Sequence, residues 1–374
     1  MQRTDFIAVN EPLLDGNEKK YLTECIDTGW ISSEGPFVEK FELAFSSRVS
    51  RKWGIAVCNG TAALDAAIDA LGIGPGDEVI LPAFTIISCI GQLIRCGAKP
   101  VLVDSDPRTW NMDVTQIEAK VTPRTKAIMV VHTYGLPVDM DPVLAVAKRH
   151  GLYVIEDAAE AHGQTYRGRA CGSFGDISTF SFYPNKLVTT GEGGMIVTND
   201  DQLAATCYSL RNLCFQPQRR FVHERLGWNL RMTNLQAALG VAQLERIDEF
   251  ATRKRAMGKR YSELLSGIPG LQIPLAKTAY ADNIYWVYGL LLSEQVGFDS
   301  AVAMKKLAAL GIGCRPFFCP MNQQPVLLER GLFKGESYPV AERMYARGFY
   351  IPSGLALTEA QMTRVADAVG SILR

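Results

Sequence analysis

From about residue 53 to residue 157 the chain alternates short β-branched runs with helical ones, and this rhythm leaves few folds open. The runs at 54–57, 78–81, 100–103, 127–131 and 152–155 are nearly continuous in apolar residues, with helical spacing at 62–71, 86–96 and 143–150. A strand with one wet face alternates apolar and polar residues, whereas an unbroken apolar strand is buried on both faces. The pattern therefore predicts an α/β fold with a mostly parallel sheet covered by helices. Ligands of such sheets bind beyond the carboxyl ends of the strands.

After Asp157 the rhythm changes. Residues 165–169, 177–182 and 195–198 read as strands joined by tight turns, which complete the sheet. A long helical pattern at 237–265 carries Leu244, Ile247 and Phe250 on one face and is broken by Gly267-Ile268-Pro269-Gly270. The expected boundary falls along that helix: a large domain with an N-terminal arm at 1–250, and a small α+β domain at 251–374. The second comprises a strand at 284–292, a helix at 300–310, a strand at 313–318 and a terminal helix opened by Thr358-Glu359-Ala360-Gln361, which has capping-box spacing. At 374 residues the chain is long enough for both.

Thirty-nine basic and thirty-nine acidic residues leave no net field to draw nucleic acid or an anionic membrane, so any bound phosphate must be held locally. Met1-Gln2-Arg3-Thr4-Asp5 lacks the apolar core of a signal peptide, and no apolar run approaches the ~20 residues of a membrane helix. A cytoplasmic location is expected. The nine cysteines are scattered without paired ligand spacing and read as reduced packing residues rather than a metal site.

The chemistry concentrates around Lys186. It follows Phe180-Ser181-Phe182-Tyr183-Pro184-Asn185 and precedes Gly191-Glu192-Gly193-Gly194, whose glycines let backbone crowd a ligand. The glycine run opens a strand rather than a helix, so it is no dinucleotide fingerprint. A lysine so placed, with a carboxylate at the end of an earlier strand, suggests a Schiff-base lysine and a pyridinium partner of pyridoxal 5′-phosphate. Asp157 ends its strand where a carboxylate reaches the crevice, although a turn or N-cap aspartate occupies the same kind of position. Cys58-Asn59-Gly60-Thr61 follows a strand and opens a helix, the arrangement of a phosphate cradle. Ser181 is a second phosphate donor or a strand serine bonded to backbone.

Taken with Ile155-Glu156-Asp157-Ala158-Ala159-Glu160-Ala161-His162-Gly163 and Gly227-Trp228-Asn229-Leu230-Arg231-Met232-Thr233, these motifs resemble the DegT/DnrJ/EryC1/StrS family of nucleotide-sugar aminotransferases. The resemblance runs over nearly the whole chain, from Thr28-Gly29-Trp30-Ile31-Ser32-Ser33 onward. It implies the fold type I (aspartate-aminotransferase-like) architecture of pyridoxal phosphate enzymes. It further implies that Lys186 bonds the cofactor, Asp157 pairs with its ring nitrogen, Glu160 lies near its ring hydroxyl, and Gly60, Thr61 and Ser181 hold its phosphate. Asn229 would reach the phosphate of a neighbouring subunit, making the enzyme a homodimer with shared sites. Trp30, Ser32, Tyr183, Arg231 and Asn322 would face the substrate.

Residues 103–110, 189–192 and 231–238 look most like the members that move the amino group of L-glutamate to C4 of GDP-4-keto-6-deoxy-D-mannose, leaving 2-oxoglutarate and GDP-perosamine, a polysaccharide precursor. The alternatives are an aminotransferase for a UDP- or dTDP-linked 3- or 4-keto sugar and a non-catalytic regulatory homologue. Relatives that remove a hydroxyl carry histidine where this chain has Lys186. Two positions depart from the family pattern. Ile86 stands where an aromatic residue usually stacks on the cofactor, and Asn322 where a histidine is common.

Overall fold

The structure, a computed structural model, describes residues 6–216 and 218–373; Met1–Asp5, on which the signal-peptide expectation rested, lie outside it. The main sheet contains β1 (Trp53–Val57), β2 (Glu78–Pro82), β3 (Lys99–Val103), β4 (Thr125–Val131) and β5 (Tyr153–Asp157). Past a hairpin of β6 (Thr165–Tyr166) and β7 (Arg169–Ala170), β8 (Ile177–Ser181) and β9 (Gly194–Thr198) complete its seven strands, in the order β1-β9-β8-β5-β4-β2-β3. Only β9 runs against its neighbours; the remaining pairings are parallel.

Continuous apolar strands are buried on both faces, as the sequence predicts. Successive residues of one strand join different clusters: Ile55 and Val57 pack with the apolar face of α3 (Gly60–Ala70), preceded in the chain by α1 (Glu18–Thr28) and α2 (Pro36–Arg48), whereas Ala56 packs with α2. On the α2 side Phe45 meets Phe180 and Phe182 edge-on, with ring centroids 4.7 and 5.1 Å apart, an arrangement that adds to simple area burial. Further along come α4 (Ser88–Arg95), α5 (Met140–His150) and α6 (Asp201–Arg211).

The single long helix predicted at 237–265 is two helices, α7 (Asn234–Leu244) and α8 (Ile247–Leu265). Thr233 and Gln236 form a full capping box at the start of α7, and Arg246 leaves helical geometry at φ −116°. The break is hidden from the hydrophobic period because Val241, Ile247 and Phe250 all join the phenylalanine cluster across it.

Beyond α8 the order is β10 (Leu271–Gln272), β11 (Tyr288–Leu292), α9 (Ser300–Ala309), β12 (Arg315–Pro316), α10 (Pro325–Glu329), α11 (Pro339–Arg347), β13 (Gly348–Ile351) and α12 (Glu359–Leu373). The strands form a four-stranded antiparallel sheet, β10-β11-β13-β12. The strand predicted to begin at 284 begins at Tyr288, because Tyr285 stands at φ 54° and its N–H is taken by the Asn283 side chain at 2.7 Å. The strand predicted at 313–318 shrinks to an edge pair containing Pro316, a residue that edges tolerate. Thr358 and Gln361 cap α12 reciprocally. Ile7 bridges Ile312, so the N-terminal arm reaches the C-terminal part. Among the described residues, no helix is long and apolar enough to cross a membrane.

Candidate active site

A cleft of about 700 Å³ opens where β5 and β8 end and α3 and α4 begin. It is lined by Gly60, Thr61, Ile86, Asp157, Glu160, Ser181, Tyr183 and Lys186, which the sequence had placed far apart along the chain. Parallel strands all deliver their carboxyl ends to one edge of the sheet, and that topology gathers them.

The amine of Lys186 is 3.7 Å from Glu160 Oε1 and 3.8 Å from the centroid of the Trp286 ring. Burial lowers its pKa, against the pull of Glu160 and Asp157 in the other direction. Asp157 ends β5 and is buried. Its Oδ1 accepts the Ala159 N–H at 3.0 Å and its Oδ2 the Cys89 thiol at 3.3 Å. Burial nevertheless raises its pKa, with those two donors only partly offsetting the loss of water. A carboxylate held in place but short of positive charge suits a protonated ring nitrogen. Glu160 accepts the Tyr134 N–H at 2.8 Å, and burial pushes it to about 7 despite Lys186.

At the opposite end of the cleft, the Asn59 side chain takes the Ala62 N–H at 2.8 Å; helix geometry leaves those of Gly60 and Thr61 without an intrahelical acceptor. Gly60 packs so tightly on β8 that a Cβ there would come 2.6 Å from that of Ser181. The Thr61 hydroxyl is 2.8 Å from that of Ser88, the first residue of α4. Two helix N-termini and two hydroxyls thus meet where an anion is favoured. Gly60→Ala is expected to cost about 1–3 kcal/mol through overpacking, seen as a lower Tm and weaker cofactor retention. An unchanged Tm and cofactor affinity would show that the close approach is dispensable.

An amine, a buried carboxylate and a phosphate cradle along one cleft fit pyridoxal phosphate. The glycine turn serves differently from expectation. Gly193 and Gly194 make room for protein: added Cβ atoms would meet Thr190 Oγ1 at 2.1 Å and the Asn59 carbonyl at 2.4 Å.

A model of the DegT/DnrJ/EryC1/StrS aminotransferase family matches residues 12–370. The chain belongs to that family. Its cofactor is pyridoxal 5′-phosphate and its members are sugar aminotransferases. The chain is 48% identical over 369 residues to a GDP-perosamine synthase of Caulobacter vibrioides, covering 98% of each chain. It is 40% identical to a GDP-perosamine synthase of Escherichia coli O157:H7, covering 97% of this chain and 98% of the other. The S. venezuelae protein DesV superposes with a TM-score of 0.87 at 33% identity, covering 96% of this chain and 94% of that one.

Five residues expected near the site do not line this cleft. Trp30 is 51% exposed and Ser32 exposed, the two joined by backbone carbonyls to Asn234. Asn229 is exposed. Arg231 donates to Asn212 Oδ1 at 2.6 Å. Asn322 is buried, and its amide is held by Glu342 at 2.7 Å and by the Glu336 carbonyl. Sequence reasoning in turn missed Ser88, Trp286, Phe318 and Tyr350, all of which line the cleft. Ser88 was open to discovery by the strand-then-helix logic that found Gly60; the three aromatic residues carry no local signal.

Proposed function

We propose that this enzyme transfers the amino group of L-glutamate to C4 of GDP-4-keto-6-deoxy-D-mannose, giving GDP-perosamine for a polysaccharide such as O-antigen. The observation that carries the reading is the 48% identity, over 98% of both chains, to an enzyme named for that product. When bound, pyridoxal phosphate supplies a carbonyl for the incoming amine and an electron sink for the carbon that loses its proton.

Lys186 would hold the cofactor through its Nζ, and the same Nζ would take the proton from the amino-bearing carbon of glutamate. Its lowered pKa supports that alternation between base and acid. Asp157 would keep a proton on the ring nitrogen, and Glu160 would serve the ring hydroxyl. Gly60, Thr61 and Ser181, to which Ser88 is added, hold the phosphate. Ile86, 45% exposed at the cleft, would cover the ring by dispersion without aromatic geometry. Tyr183, which lines the cleft, is the residue placed to contact the nucleotide sugar; Arg231 and Asn322, held by Asn212 and Glu342, are given no direct contact with it.

A homodimer completes the reading. Asn229, Trp30 and Ser32 are exposed and outside their own chain's cleft, which supports a role for them in the cleft of a second copy. The separate seven-stranded and four-stranded sheets support division into a large domain at 1–250 and a small one at 251–374. Nine free cysteines and a nucleotide-sugar substrate favour the cytoplasm.

A panel of GDP-, UDP- and dTDP-linked keto sugars, assayed with glutamate for 2-oxoglutarate release, tests the substrate. GDP-4-keto-6-deoxymannose should turn over fastest. Turnover confined to 3-keto sugars or to another nucleotide would refute the reading, and none with any sugar would favour a regulatory homologue.

A further inference from the structure

Lys254 is a buried amine with no carboxylate paired to it among the described residues. It lies on α8, 2% exposed, and donates to the backbone carbonyls of Trp286, at 2.8 Å, and Ser353. Burial alone brings its pKa down to about 7. A desolvated ammonium without a counter-charge is costly, and a methionine of similar length would pack as well. Packing alone therefore does not account for a lysine here.

What it holds is informative. Trp286 precedes β11, next to the left-handed Tyr285, so no ladder fixes its backbone. Its indole Nε1 donates to the Asn185 carbonyl at 2.7 Å, and its ring faces the Lys186 amine. Both contacts bear on the turn that presents Lys186. Lys254, Trp286, Glu160 and His162 also border one tightly packed crevice, too narrow for a water, beside the cleft.

We propose that Lys254 is a positioning residue: by holding the Trp286 carbonyl it fixes the indole against Lys186 and so sets where that amine stands. This rests on Lys186 being the lysine that bonds the cofactor.

Borohydride reduction of the wild-type holoenzyme, followed by peptide mapping, reads that premise separately. Label on another lysine would remove the assigned role of Lys186 and this proposal with it. With label on Lys186, Lys254→Met should keep or raise the thermal midpoint while lowering kcat on the order of tenfold, with KM for glutamate little changed. Trp286→Leu should lower kcat likewise, and the double variant should lose no more than either single change. In cofactor-free protein, the pH midpoint for acetylation of Lys186 should move down in both single variants, since the amine loses the ring face that favours its charge. Wild-type kcat in Lys254→Met, additive losses in the double variant, or an unmoved acetylation midpoint overturns the proposal. Should Lys254→Met fail to fold, Trp286→Leu leaves the carbonyl under Lys254 intact, and wild-type kcat there overturns the proposal equally.

Discussion

Lys186→Ala is expected to reduce glutamate-dependent amine transfer by at least about 10⁴-fold, because it removes both the covalent attachment and a proton carrier whose kind of catalysis alone gives about 10²–10⁴. Among the described residues no other lysine lines the cleft, and Lys254 is committed to two carbonyls. The variant should still fold, since Glu160, already pushed to about 7 by burial, stays protonated once its cationic neighbour is gone. Release of 2-oxoglutarate and the long-wavelength absorbance of the bound cofactor measure the two losses. Retention of both at wild-type levels would disprove the role of Lys186.

Asp157→Asn is expected to lower kcat by about 10²–10³, the usual cost of removing one preorganised electrostatic partner. The amide keeps the acceptor for the Ala159 N–H but offers the ring nitrogen no charge. Cofactor should still attach to Lys186, which distinguishes this loss from the first. The fold should not suffer. In cofactor-free protein, burial raises the Asp157 pKa from its ordinary value, so its ionisation weakens the native state as pH rises from that value through the raised one. Asparagine removes this penalty, and the apo variant should be no less stable than wild type at neutral pH. A kcat within a few-fold of wild type would separate Asp157 from the chemistry.

The part of the cleft formed by Gly60, Thr61, Asp157 and Ser181 was legible because each piece of it is a local backbone event. Asp157 is the last residue of a strand, Gly60 and Thr61 are the first turn of a helix, and Ser181 ends another strand. The residues expected to face the substrate were less legible. Arg231 and Asn322 bond to Asn212 and Glu342 rather than lining the cleft, and their types alone do not say where their side chains are spent. The helix break at Arg246 was masked for a related reason: hydrophobic period reports which face is buried, and both helices bury the same face.

By itself the sequence determined the buried, mostly parallel sheet and the residues that line the cleft at its carboxyl edge, because strand burial, helix starts and close glycine approaches depend on neighbours within a few positions. Only the tertiary structure decided the far wall. Trp286, Phe318 and Tyr350 come from a segment at least 100 residues beyond Lys186, and Lys254 reaches Trp286 from a helix in between. Contacts of that range exist only once two sheets have packed together, and no local pattern encodes which side chains will then meet.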